Sequence, residues 1–144
     1  MKYPFYSNKE ISNIHPLDNK LLDKYNNPYD LYLSLLDNYT IDTCTPRMRD
    51  RWNIKNKTVG QCSITAFIVQ DVFGGEVYGV PLKDNHYHLF NLIGDVIFDL
   101  TSEQFNNSLS YTLDYPQKRN IHFSSKEKYD RYLLLKNKLF YILK

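Results

Sequence analysis

Apolar positions in the last segment, SSKEKYDRYLLLKNKLFYILK, recur at helical spacing, with Tyr129, Tyr132, Leu133, Leu139 and Phe140 on one face. This pattern predicts an amphipathic helix over 124–143, opened by Ser124 and Glu127 at capping-box spacing. Leu31, Leu35 and Tyr39 repeat every four residues in NPYDLYLSLLDNY. Asn27 fits its N-cap and Pro28 the first helical position. A short helix is also expected in LDNKLLDKY (17–25), so that N-terminal helices occupy 17–39, while the first sixteen residues read as irregular. A helical turn is expected after Pro46.

The middle of the chain carries a different pattern. CSITAFIVQDVF (62–73) lacks period-two alternation, is apolar around most of its circumference and stops at Gly74-Gly75. It predicts a central, buried helix. EVYGVPL (76–82) reads as a strand, with Pro81 marking an edge or an end. HYHLFNLIGDVIFDLT (86–101) is a hairpin, two aromatic-rich apolar runs around Gly94-Asp95. TSEQF turns the chain, Thr101 and Gln104 having capping-box spacing, and NIHF reads as a short strand. Helices, one buried helix, an antiparallel sheet and a last helix make an α+β domain spanning 1–144, with its core in 52–105.

Composition changes this picture little. At 144 residues, 42% hydrophobic and 24% charged, the chain is long enough for one core, and its 13 Tyr and 8 Phe argue against disorder. A net charge of +2 is too small to argue for nucleic acid as a partner. The basic run Arg47, Arg49, Arg51 with Trp52 reads as a solvated loop, and salt-dependent nucleic-acid binding there is the weakest functional reading. Cys44 and Cys62 form no CxxC motif. MKYPFYSNKEISNIHP lacks the apolar run of a signal peptide, and no stretch is long and apolar enough to span a bilayer. A cytoplasmic, bacterial-style protein with reduced thiols and no membrane partner is expected.

Candidate chemistry centres on Cys62. A thiol in the first turn of a helix lies at the positive end of the macrodipole, where the thiolate is favoured and backbone N–H groups can hold an oxyanion. Gly60 lets the chain approach a substrate, and Gln61 offers an amide donor beside the cysteine. In the hairpin, a two- or four-residue loop puts His88 and Asp99 on one sheet face, whereas a three-residue loop separates them. Cys62, His88 and Asp99 then have the makings of nucleophile, base and orienting group. His86 shares the face of His88 and leaves the identity of the base open. Asn91 is expected to face away from His88 and tie the strand to a neighbour. Cys44 receives no role, and His15, His86 and His122 read as surface or packing residues. Cys62, His86 and His88 with Asp84 or Asp99 could in principle ligate a metal. With no HExxH or paired CxxC, however, neither metal nor cofactor is expected.

A cysteine at a helix start followed by strands bearing His and Asp resembles the core of papain-like and transglutaminase-like cysteine enzymes. More closely, Trp52, Gly60-Gln61-Cys62, Gly74-Gly75, His88, Asn91, Asp99-Leu100-Thr101 and Gln104-Phe105 resemble the pattern of the small bacterial YunG-like family. The resemblance covers about 52–105 and more weakly the terminal helix. It implies the papain-like or transglutaminase-like fold and a Cys62–His88–Asp99 triad, without a substrate. Two departures stand out. The oxyanion glutamine of papain-like peptidases usually lies several residues before the cysteine, whereas Gln61 adjoins it. Transglutaminase-like proteins often place an aromatic after the cysteine, where Ser63 stands here.

The expected activity is thiol-dependent hydrolysis or acyl transfer, amidase- or peptidase-like, on a peptide, amide or acyl substrate. The alternative is an inactive protein-binding module that keeps the fold and presents Tyr3, Tyr6, Tyr111, Tyr115 and Tyr129 to a partner. A cysteine open to a cleft and in reach of His88 separates the first from the second. Oligomeric state is not legible in the sequence.

Overall fold

A helix over Cys62–Phe73 (α2) packs on one face of a four-stranded antiparallel sheet made of β1 (Tyr6–Ser7), β2 (Glu76–Pro81), β3 (Tyr87–Ile93) and β4 (Val96–Asp99) in the order β1-β4-β3-β2. The computed structural model describes residues 2–17, 24–106 and 108–140. Helices α1 (Pro28–Asn38) and α4 (Lys126–Phe140) pack on each other, and α4 also packs on α2. Ile64, Phe67, Ile68 and Val69 of α2 are fully buried, as are Leu31 and Leu35 of α1 and Leu135 of α4. Each such side chain contributes about 1.5–3 kcal/mol on leaving water. The α+β class and the central buried helix are therefore present as the apolar patterning predicts.

Local signals fall mostly where the periodicity places them. Asn27 Oδ1 accepts from Asp30 N at 3.0 Å and caps α1, with Pro28 in its first turn. The segment Pro46–Arg51 forms a turn of 3-10 helix. Pro81 ends β2, an edge strand whose missing N–H costs the sheet nothing there. The β3–β4 register pairs Ile93 with Val96, so Gly94-Asp95 is the two-residue form of the turn.

Four expectations are corrected. Tyr6 and Ser7 pair with Asp99 and Phe98, so the N-terminal stretch contributes a strand too short for a periodicity to reveal. NIHF is helical (α3, Arg119–His122), with Phe123 N donating to Arg119 O at 2.8 Å. The strand-like pairing against β2 comes just before it, where Gly79 N donates to Tyr115 O and Gln117 N to Val77 O. Coiling at 119 also brings the Arg119 guanidinium onto Asp71 at 2.7 Å and onto the Phe67 carbonyl at 3.0 Å. Ser125 rather than Ser124 caps α4, its Oγ accepting from Lys128 N at 3.2 Å. Thr101 makes no side-chain cap, because its hydroxyl turns to Asp99 instead. The helix expected over 17–25 falls largely in 18–23, outside the described residues, as does the end of the C-terminal helix beyond 140.

β3 is the strand on which the site is built. Leu89 and Asn91 point towards α2, where Asn91 Nδ2 donates to the Ala66 carbonyl at 3.0 Å. His88 and Phe90 occupy the opposite face, Phe90 meeting the Tyr111 ring edge-on at 4.9 Å. The strand is thus clamped on one side by a buried amide and covered on the other by an aromatic ring.

Candidate active site

β4 ends at Asp99, opposite Phe90 in the hairpin register, before that register reaches Leu89. The Leu89 backbone N–H helps to favour the ionised form of Cys62, at the start of α2. Cys62 and the His88 ring act on one another electrostatically here. Both line a cavity of about 430 Å³, and Cys62 is partly exposed to it.

His88 is held from its far side. Its Nε2 lies 2.6 Å from Asp99 Oδ2, with both side chains 1% exposed, which leaves Nδ1 for the thiol. Asp99 accepts four hydrogen bonds: from His88 and Tyr111 Oη on Oδ2, and from Thr101 N and Thr101 Oγ1 on Oδ1. Phe105 closes edge-on over the imidazole at 4.8 Å, and Tyr6 stacks on Tyr111 at 4.3 Å. Burial and the Asp99 charge push the Tyr111 hydroxyl far up, so it remains a donor. A carboxylate satisfied in this way can orient the ring and stabilise its protonated form.

The electrostatics of the pair follow. Burial pushes the Cys62 thiol up, but the His88 charge, its hydrogen bond and the Leu89 N–H outweigh burial and hold it below the ordinary thiol range. Burial would likewise lower His88, yet Asp99 and then Cys62 raise it to about 10. Each of the two thus favours the other's ionised form, thiolate and imidazolium. Cys44, fully buried, is pushed up by burial.

Gln61 does not join them. It is fully buried, and its Nε2 donates to the Thr40 carbonyl at 3.3 Å, so the amide donor read from its place beside Cys62 points into the core. The glutamine that faces the cavity is Gln104. Its Oε1 accepts from Gly60 N at 3.3 Å and its Nε2 donates to Thr101 O at 3.2 Å, bracing the loop before Cys62 against the loop after Asp99. The N–H groups of Cys62 and Ser63, in the first turn of α2, have no intrahelical acceptor.

Of the two hairpin histidines, His88 is the one that meets Asp99. His86 is exposed at the cavity rim, its backbone N–H on Asp84 Oδ1 at 3.1 Å. Trp52 packs against the core and donates to Lys57 O, away from the cavity lining. Arg49 is tied to the Cys44 and Asp42 carbonyls and Arg47 to Asp84, as a folded loop would hold them. Among the described residues, no cluster of three or more His, Cys, Asp or Glu is placed to hold a metal ion. Likewise, no described helix is long and apolar enough to cross a membrane.

Gly60 sets the approach to the cysteine. Its φ is +71°, and an added Cβ would stand 2.5 Å from Cys44 Sγ and 3.2 Å from Thr45 N. Gly60→Ala is expected to cost about 1–3 kcal/mol in urea denaturation, through left-handed strain and collision together. Unchanged stability would mean that the loop relaxes freely.

A family model described as YunG protein matches residues 27–144. The chain belongs to the YunG family. The match takes in every residue of the Cys62–His88–Asp99 cluster, Tyr111 and α4. A YunG relative, Uncharacterized protein YunG from Bacillus subtilis (strain 168), is 38% identical over 61 residues. That alignment covers 42% of this chain and 52% of the relative, so the chain spans about half the length of the curated relative it matches. No solved structure matches.

Proposed function

We propose that the protein is a thiol-dependent hydrolase or acyl transferase acting through Cys62, His88 and Asp99, on a cysteine-enzyme core of the papain-like or transglutaminase-like kind. The observation that carries this reading is His88, buried between a cysteine open to a cavity and a fully hydrogen-bonded carboxylate.

Cys62 Sγ attacks the substrate carbonyl carbon, forming the S–C bond and moving the carbonyl π pair onto oxygen. The Cys62 and Ser63 N–H groups lie at the helix end where that oxyanion would develop. As the carbonyl re-forms, the bond to the leaving group breaks, and the Nδ1 proton of His88 passes to the departing atom. Water or an amine then attacks the thioester, giving its proton to His88 and releasing Cys62 as thiolate. Asp99 and Tyr111 hold the ring orientation throughout and take no proton.

The partner-binding alternative receives less support. Tyr111 is committed to Asp99 and stacked on Tyr6, and Tyr3 stacks on Phe5, so those tyrosines do not form one open face. Tyr115 and Tyr129 are the exposed ones, at 40% each.

An activated ester, p-nitrophenyl acetate, tests the proposal directly. A single acetyl mapped to Cys62 by mass spectrometry, with nitrophenol release that continues after the first turnover, is the expected result. Cys62→Ala is expected to abolish both. Acetylation confined to lysines, or nitrophenol release unchanged in the variant, would sink the reading.

A further inference from the structure

Beyond the triad, the cavity walls carry an unbalanced charge. Arg47, Lys128 and Arg131 line it against one carboxylate, Glu127. Arg131 holds Glu127 at 2.5 Å, and Arg47 is neutralised from outside the cavity by Asp84 at 2.8 Å. Among the described residues Lys128 has no such partner: its Nζ contacts His122 Nδ1 at 2.8 Å, a neutral acceptor whose Nε2 is held by Gln117 Oε1 at 2.8 Å. His122 itself is lowered to about 4 by burial and by Lys128, so it adds no charge of its own near neutral pH.

The position of Lys128 is costly for a structural residue. It stands in the first turn of α4, where the helix dipole disfavours a cation, and it is partly buried beside Arg131 and Arg47. The anion it interacts with most strongly is the Cys62 thiolate. That anion disappears when the S–C bond forms, because a thioester is neutral. The covalent intermediate would then leave Lys128 without its strongest anionic neighbour, unless the acyl group brings a negative charge with it.

We propose that the substrate is a small acyl or amide compound carrying a carboxylate near its reactive carbonyl, and that Lys128 is the residue that selects it. The inference rests on the reading of Cys62 as a nucleophile. A cavity of about 430 Å³ suits a ligand of this size. An ammonium reads a carboxylate as a point charge without demanding a planar fork, so a lysine suffices.

The test is the rate of Cys62 alkylation by iodoacetate relative to iodoacetamide, two near-isosteric reagents that differ in one charge. Ordinary thiolates prefer the neutral reagent. Here the anionic reagent is expected to react faster, and Lys128→Gln is expected to lower the iodoacetate-to-iodoacetamide ratio by roughly tenfold. Any change in the thiolate fraction affects both reagents alike and cancels in the ratio. Lys128→Arg is expected to keep most of the preference. A ratio equal in wild type and Lys128→Gln, with Cys62 still reactive, overturns the substrate inference and leaves the nucleophile standing. A loss that Lys128→Arg does not restore shows that shape rather than charge is read, and also overturns it. A Cys62 inert to both reagents removes the nucleophile, and this inference with it.

Discussion

His88→Ala is expected to slow alkylation of Cys62 near pH 6 by about tenfold or more, with Cys44 silent in both proteins. The sign follows from the forces on the thiol. Burial pushes Cys62 up, and the opposing charge is largely that of His88, whose own position near 10 keeps it protonated throughout the neutral range. Without the imidazolium, burial and the Asp99 charge act against only the Leu89 N–H, and the thiolate retreats to higher pH. Labelling of the wild type should therefore persist as pH falls below 8, while that of the variant fades. Above about pH 10 the two should converge, since His88 has then lost its proton and no longer acts on the thiol. Mass-spectrometric mapping across pH, at fixed ionic strength, reads the result. Identical profiles would mean that Cys62 and His88 share a cavity without forming an ion pair.

The largest stability effect is expected for Asp99→Ala. The substitution removes an acceptor that is 1% exposed and strands His88 Nε2, Tyr111 Oη, Thr101 N and Thr101 Oγ1 together. Breaking a buried pair from one side costs about 3–5 kcal/mol, measurable by urea denaturation. Asp99→Asn keeps an oxygen for Thr101 but turns an amide towards two donors, and about 1–3 kcal/mol is expected. The loss also depends on pH in a defined direction. Because His88 is raised in the folded state, its contribution is complete below the unfolded imidazole value of about 6.5. It is lost as pH rises through about 10, so the gap between wild type and Asp99→Ala should narrow there. A gap that is small near neutral pH and does not vary with pH would mean that the four donors find other acceptors.

These two residues also mark how far a linear reading reaches. His88 and Asp99 could be paired in advance because strand alternation and a short turn leave few registers, and either even loop length keeps both on one face. The glutamine is the opposite case. Gln61 is next to the cysteine in the chain, but the chain enters α2 with that side chain turned inwards to Thr40, and Gln104 occupies the cavity wall. Adjacency in sequence says nothing about which side of a helix start a residue faces until the packing is known. The histidine-bearing NIHF segment is ambiguous in the sequence for a related reason. Four apolar and polar residues fit strand or helix equally, and the helical form is the one that carries Arg119 onto Asp71 and the Phe67 carbonyl, contacts a local pattern does not contain.

Apolar periodicity by itself determined the α+β class, the buried helix that begins at Cys62 and the hairpin, and strand alternation put His88 and Asp99 on one face for either even loop length. Those properties follow from interactions within a few residues or across one tight turn. Only the tertiary structure decided that Tyr111 completes the Asp99 carboxylate, that Gln104 braces the loop before Cys62, and that Lys128 stands in the cavity as a cation paired with no carboxylate among the described residues. Each of these contacts joins segments far apart in the chain. The docking of α4, of the Tyr111 segment and of the Ser102–Phe105 turn creates them, and that docking is driven by apolar burial, which leaves no local mark on the polar residues it carries into the site.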